Sequence, residues 1–321
     1  MVKIWEVSDR PLHVGLGLLE NHFNQGSEMK NLARQILAYT LWPILLGVPI
    51  FLVYKGIGND RPTLYFNIAY LGLAATLFVL ERLMPYREEW VKSDGQEFPD
   101  FAHTVLTKGL IQLALFLLLI SGIIHTMGDR GPSSFWPSGL PLAAQVILAM
   151  VISEFGLYWA HRLEHTWSFL WRFHSIHHSV EKLWFFNTGR FHFVDTFNSL
   201  LFSIPLLFLL GVPGDVFIYF SSITAFIGLL THCNIDMHCG VLNYIFNTPN
   251  VHRWHHSKKV EEGNNNYGEN LLLFDMIFGT FYFPRDRHVG PLGIKEHMPK
   301  AFIGQLVAPF RWHKTQNKQG R

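Results

Sequence analysis

The 321-residue sequence predicts an all-α protein, a polytopic membrane helical bundle of four clear spans plus a 195–231 helical hairpin, with a cytosolic histidine-rich cap. Three observations predict it. Hydrophobic residues make up 49% of the chain and charged residues only 16%, where soluble domains carry about 25% charged residues. Several apolar runs reach the ~20 residues that a bilayer-crossing helix needs. Eleven of the 18 histidines fall between positions 161 and 256, outside or at the ends of those runs.

The spans follow in order. The first is "QILAYTLWPILLGVPIFLVY" at 35–54, and the others cover roughly 64–84, 104–126 and 141–160. A further apolar region at 195–231 is broken by "GVPGD" at 211–215 and reads as a helical hairpin, spanning or re-entrant. No internal repeat appears, so one membrane-embedded domain is expected over 1–321, with its motif core at about 150–284. The N-terminal 25 residues lack the apolar core and cleavage site of a secretory signal, so the first internal span is expected to direct insertion.

Charge sets the orientation. Lys3, Arg10, Lys30 and Arg34 precede span one, and Arg82, Arg87, Lys92 and Lys108 lie between spans two and three. Arg162, Arg172, Lys182 and Arg190 follow span four, whereas Lys55, Arg61 and Arg130 sit in the other loops. The positive-inside bias therefore puts the N-terminus, the second loop, the region after span four and the C-terminal tail on the cytosolic face. A net charge of +2 is too balanced for nucleic-acid binding. Cys233 and Cys239 form no CxxC pair and read as reduced packing residues.

The chemistry lies in three histidine motifs, "HRLEH" at 161–165, "HSIHH" at 174–178 and "HRWHH" at 252–256. Residues three and four apart share a helix face, so His174, His177 and His178 are expected to present three imidazoles to one point, as are His252, His255 and His256. Neutral imidazole is the common nitrogen ligand for iron, zinc, copper and nickel. Eight histidines exceed what one tetrahedral ion uses and suit two ions with open coordination positions. His232 and His238, in "THCNIDMH", join the candidate ligands. His192 is open between ligand, supporting residue and surface histidine. His13, His22, His103, His125, His288, His297 and His313 read as interfacial or core residues.

A competing reading takes "HRLEH" as the inverted zinc-protease signature H-x-x-E-H, with His161 and His165 on zinc and Glu164 as general base. It leaves both HxxHH motifs without a purpose. Glu164 otherwise orients a ligand histidine or pairs with Arg162 or Arg190. A transporter would place ionisable residues in mid-span, where these histidines are not.

HxxxH, HxxHH and a late HxxHH on a polytopic membrane protein resemble the fatty acid hydroxylase/sterol desaturase superfamily. The similarity runs from about Glu154 to Pro284, through "YWAHRLEHTWSFLWRFHSIHHS" and "LNYIFNTPNVHRWHHSKKVEEGNNNYGENLLLFDMIFGTF". Asn266, Tyr267, Gly268 and Asp275 match recurring positions of its last block. Two departures stand out: Phe193 replaces a proline common after Arg190-x-His192, and His238 follows His232 after five residues where the family's hydroxylases show three.

The resemblance implies two iron ions on His161, His165, His174, His177, His178, His232, His238, His252, His255 and His256, with zinc as a possible substitute. It implies O2 as co-substrate and hydroxylation of an unactivated C–H bond of a lipid (sterol, fatty acyl, sphingolipid or ether lipid) reached from the bilayer. Desaturation by the same site is the alternative. Glu164, Asn187, Arg190, His192, Asn266 and Asp275 are the expected supporting or substrate-channel residues, and "WFFNTGRFHF" at 184–193 is a candidate channel lip. The chain has no CxxCH, GxGxxG or His-Pro-Gly-Gly motif, so a separate cytochrome b5, ferredoxin, reductase or pterin must supply electrons. The expected location is a bacterial inner membrane or the endoplasmic reticulum, with the site on the cytosolic face.

Overall fold

The computed structural model of the chain describes residues 14–118 and 135–317, except for the side chains of 14–34 and 115–118. His13, His125, Lys3, Arg10, Arg130 and the end of the third expected span lie outside the described residues. Among the described residues the elements are helices, with isolated β-bridges and no named strand. Five stretches are long and apolar enough to cross a membrane: Gln35–Gly58, Pro62–Leu83, Leu142–Thr166, Phe193–Leu210 and Gly214–Thr231.

Helix α1 (Val14–Gly58) packs along α2 (Pro62–Leu83), which opens with Pro62, a residue whose missing N–H costs nothing at that position. The third expected span begins as α3 (Glu97–Ala102), continues as a π-helix over His103–Gly109 and runs on as α4 (Leu110–Leu118). Helix α5 (Leu142–Thr166) extends past the expected end at 160, so "HRLEH" forms its last turns. The hairpin is α7 (Phe193–Ser203) with α8 (Pro205–Leu210), then α9 (Gly214–Thr231). Gly211 closes α8 with φ 77°, a left-handed conformation that glycine adopts without a Cβ penalty. By length, both arms reach across a bilayer.

Trp42, Leu73, Leu77, Phe226, Leu230 and Ile235 fill the core between α1, α2 and α9. Large apolar side chains also face outward, such as Leu71, Ile147 and Leu209. An apolar exterior around satisfied helices is what hydrocarbon solvates. Helices α5 and α7 approach closely because Gly156 has no side chain; a Cβ there would stand 2.0 Å from the Phe202 carbonyl oxygen.

One end of the bundle gathers several chain segments. His238 N–H donates to the Ala38 carbonyl near the start of apolar α1, and Asp236 N–H to that of Met84, just after α2. The ends of α5 and α9 arrive at the same end and carry His161, His165 and His232. The positively charged loops therefore converge where the histidines do.

Candidate metal centre

A single extended residue, Trp167, separates α5 from α6 (Ser168–His178), which folds HSIHH back over HRLEH. A short helix, α10 (Pro249–His255), starts at Pro249 and brings HRWHH in from the other side. His232 caps the end of α9.

Nine histidines meet in two groups. His161, His165, His174, His178 and His255 offer ligand atoms that all lie within 4.8 Å of one another, and so do His177, His232, His252 and His256. The groups share a wall in which His178 and His256 stack at 4.5 Å. The expectation that each HxxHH turn aims three imidazoles at one point is corrected here. In both motifs the i and i+4 residues serve one group and the i+3 residue the other. The reason is helical: i and i+4 stand about 40° apart around the axis, i+3 and i+4 about 100°. Each HxxHH motif thus joins both groups, while HRLEH, with only i and i+4, serves one.

Hydrogen bonds on the far side of the rings fix their tautomers. His161 Nδ1–H donates to the Tyr267 carbonyl (2.8 Å), His255 Nδ1–H to that of Asn265 (2.8 Å) and His174 Nδ1–H to Asp195 Oδ2 (3.0 Å). His232 Nδ1–H donates to Asn187 Oδ1 (2.8 Å) and His165 Nδ1–H to Asn264 Oδ1 (3.1 Å). Asn247 lies against His252 Nδ1 at 3.0 Å. With the proton on Nδ1, the Nε2 atoms of His161 and His174 both carry lone pairs, yet they stand 3.0 Å apart. Two acceptors cannot bond each other, and this contact needs a cation between them. Nitrogens about 2.1 Å from one ion and at right angles around it are about 3 Å apart. Similar separations hold for His165 and His178 (3.1 Å) and for His252 and His232 (2.9 Å). His255 Nε2 is buried with no hydrogen-bond partner. The donor set therefore fits two ions that accept neutral imidazole.

Electrostatics agrees. Burial first, and neighbouring imidazoles second, hold His177, His178, His255 and His256 well below the ordinary histidine range. Burial and the same neighbours push His252 down to about 3. Neutral rings with free lone pairs are the ligand form.

The carbonyl that orients His161 comes from a braced loop. Asp275 accepts from the N–H groups of Tyr267 and Gly268 (2.8 Å each) and from the Thr280 hydroxyl (2.6 Å). Asn266, at φ 57°, exchanges two 2.8 Å bonds with the Tyr282 backbone. Gly268 leaves no room for a Cβ, which would stand 2.2 Å from the Leu271 carbonyl oxygen. Glu154 accepts from the N–H groups of Glu269 (2.6 Å) and Asn270 (3.1 Å).

Of the ten histidines expected as ligands, the structure does not bring His238 to either group. It is exposed and stacks on Tyr39 at 5.0 Å, because the stretch after His232 runs to α1, where His238 N–H bonds the Ala38 carbonyl. His192 is buried but caps α7, accepting from Val194 N–H at 3.1 Å while its Nε2–H donates to the Leu306 carbonyl. Asn187 touches a candidate ligand, as above. Arg190 instead bonds Asp100 (2.8 Å) and Gln96 (3.1 Å), tying its loop to α3. Glu164 lies behind His174, 3.3 Å from Nδ1, and accepts from the Asn198 amide (2.7 Å). Its position is wrong for the general base of a zinc hydrolase, which must face the metal. Of the "WFFNTGRFHF" stretch, Phe191 stacks on His177 at 4.4 Å, whereas Phe185 is buried in the helical core.

Sequence reasoning missed Asp195, Glu154, Asn198 and Asn264. Glu154 had a legible signal, a lone carboxylate inside an apolar span. Asp195, in the first turn of α7, had none.

The fatty acid hydroxylase family profile matches residues 146–280. The chain is 49% identical over 276 residues to an ornithine lipid hydroxylase of Rhizobium tropici, covering 84% of this chain and 83% of that protein. It is 28% identical over 262 residues to an alkylglycerol monooxygenase of Danio rerio, covering 78% of this chain and 56% of the other, so it spans about half that protein's length. A delta(7)-sterol 5(6)-desaturase of Schizosaccharomyces pombe is 31% identical over 143 residues, 43% of each chain. No solved structure matches the chain.

Proposed function

The chain belongs to the fatty acid hydroxylase family, and on that premise we propose that it is a membrane-embedded di-iron oxidoreductase that uses O2 and an external electron donor to hydroxylate an unactivated C–H bond of a lipid. The observation that supports this most is the pair of histidine groups, five and four strong, with lone pairs turned inward. His161, His165, His174, His178 and His255 would hold one ion, and His177, His232, His252 and His256 the other. Iron there supplies the O2 activation and hydrogen removal that side chains alone cannot perform.

The chain's own residues orient and enclose. Tyr267, Asn265, Asp195, Asn187 and Asn264 hold protons on the outer ring nitrogens and so keep the inner ones available. Eight of the nine histidines are buried, which limits water at the site. A cavity of about 300 Å³, lined by His165, His178, His255 and Trp171, opens onto the five-histidine group and is a route for O2. Electron delivery falls to a separate protein or a pterin, because the chain has no haem, flavin or nicotinamide motif. The Lys/Arg bias of the loops supports a site on the cytosolic face of the membrane. Hydroxylation is preferred to desaturation because the relative at 49% identity is a hydroxylase. By the same likeness, the lipid substrate is one with a polar headgroup.

Metal analysis of purified protein tests the site. About two iron ions per chain, falling to about one or fewer in His177→Ala and in His255→Ala, is the expected result. One zinc, indifferent to His255→Ala, would contradict it. Mass spectrometry of host lipids with and without expression, under air, tests the reaction. A lipid that gains one oxygen atom supports hydroxylation, and one that loses two hydrogens supports the desaturase alternative.

A further inference from the structure

Three apolar side chains near the C-terminus face outward although they belong to no span. Residues 302–316 form one helical run, made of Phe302–Val307, Ala308–Arg311 and Trp312–Gln316. Ile303 is 65% exposed and Phe310 63%, with Val307 exposed between them. Spacings of four and three put all of them on one face. The opposite face is fixed. Gln305 Oε1 accepts from His103 Nε2–H (3.0 Å), while its amide N–H groups donate to Gln96 Oε1 (3.1 Å) and the Pro299 carbonyl (2.9 Å). Ala308 and Pro309 are buried on the same side. The run cannot roll its apolar stripe inward without breaking these bonds. Single exposed apolar residues are ordinary on a protein surface, whereas a continuous stripe marks a surface that something covers.

The two ends of the run touch the ends of two apolar segments. Phe302 packs edge-on against His103, with ring centroids 4.8 Å apart, where the third apolar segment begins. Phe310 stacks on Phe193, the first residue of α7, at 6.4 Å. The run therefore follows the rim of the bundle at the depth where these helices enter the bilayer. Phe193, Phe197 and Leu201, four apart, are exposed on α7 and form its lipid-facing side. Phe310 continues that side onto the C-terminal run. At the other end Phe98, 69% exposed, stands beside Phe302 at 6.5 Å. Charge completes the pattern. Lys300, Arg311 and Lys314 are exposed, and the sequence holds no Asp or Glu after Glu296. An apolar stripe flanked by lysine and arginine suits a helix lying in the plane of the membrane interface, beside anionic lipid.

We propose that residues 302–316 lie in the interface of the leaflet on the histidine side. Ile303, Val307 and Phe310 enter the acyl boundary, and Lys300, Arg311 and Lys314 meet the phosphates of acidic phospholipids. Lipid is the occupant, rather than a second copy or a partner protein, because the stripe is continuous with the lipid-facing side of α7. The chain thus has a lipid-binding surface outside both its spans and its metal centre.

Spin labels on single cysteines test this in the full-length chain reconstituted in vesicles. Cys233 and Cys239 are buried, so labels in Ile303→Cys, Val307→Cys, Phe310→Cys and Lys314→Cys report alone. At 303, 307 and 310, relaxation by dissolved oxygen should exceed relaxation by a water-soluble nickel chelate, and at 314 the order should reverse. Stronger relaxation by nickel along the stripe puts it in water and overturns the proposal. Shielding from both reagents means a cover of protein, and overturns it as well. Spin-labelled lipids test the charge. In vesicles of phosphatidylcholine and phosphatidylglycerol, the lipid immobilised on the protein should favour phosphatidylglycerol by about twofold or more. A variant combining Lys300→Gln, Arg311→Gln and Lys314→Gln should lose most of that excess. Equal partitioning in wild type, or an undiminished excess in the variant, overturns the anionic preference. If Phe310→Cys does not fold, because its ring also packs on Phe173 at 5.4 Å, positions 303 and 307 still decide. Neither readout uses metal or turnover, so both are independent of the reaction the centre performs.

Discussion

Asp195 shows how much one side chain can carry without any motif around it. Its carboxylate holds His174 Nδ1–H at 3.0 Å, and His174 Nε2 then faces His161 Nε2. Asp195→Asn keeps the shape and removes the charge. Metal affinity should fall about 10–100-fold, measured by chelator competition, with the fold intact by circular dichroism. Unchanged affinity would make Asp195 a packing residue only. The histidines also predict a pH response. His252 sits at about 3 in the fold because burial disfavours its charged form, against about 6.5 in an unfolded chain. Below about 6.5 the unfolded chain takes up a proton that the folded one refuses, so stability is lost as pH falls toward about 3. Above about 6.5 this group contributes no pH dependence. Denaturant unfolding of the metal-free protein should therefore show lower stability at about pH 5.5 than at about pH 7.5, and a flat profile would contradict it.

At the scale of elements, the site depends on where two helices cross. Gly156 lets α7 lie against α5, and α7 carries both Asp195 and Asn198 to the back of the histidines. Gly156→Val would drive a branched side chain into the Phe202 carbonyl. The expected outcome is a loss of at least about 1–3 kcal/mol in unfolding stability, accompanied by weaker metal binding. A variant of wild-type stability would show that the helices can separate without cost. The helices themselves were legible, because apolar length and turn residues such as Pro62 and Gly211 act locally. The π-helix was not. Its extra residue answers to the Phe191 carbonyl, a partner more than 80 positions away.

For the whole molecule, the charge pattern makes a two-sided prediction. The loop holding Asp94 and the turn holding Asp60 flank α2 and belong at opposite ends of the bundle. Both native cysteines are buried, so single cysteines introduced at 60 or 94 should report alone. In intact cells an impermeant maleimide should label position 60 and reach position 94 only after the membrane is opened. Labelling of 94 from outside would invert the topology and put the histidine centre on the other face.

The sequence by itself determined the membrane class, because span length and charge bias are sums over local residues. It also pointed to eight of the nine clustered histidines through helical spacing, and to His232 as a further histidine nearby whose place the family resemblance supported. Only the tertiary structure decided how they divide. HSIHH gives His174 and His178 to one group and His177 to the other, and HRWHH gives His255 to one and His252 and His256 to the other. The packing of α5, α6, α9 and α10 sets that partition, and it likewise excludes His238. Spacing along a chain shows which imidazoles can share a face, but whether two faces meet depends on contacts between segments far apart in sequence.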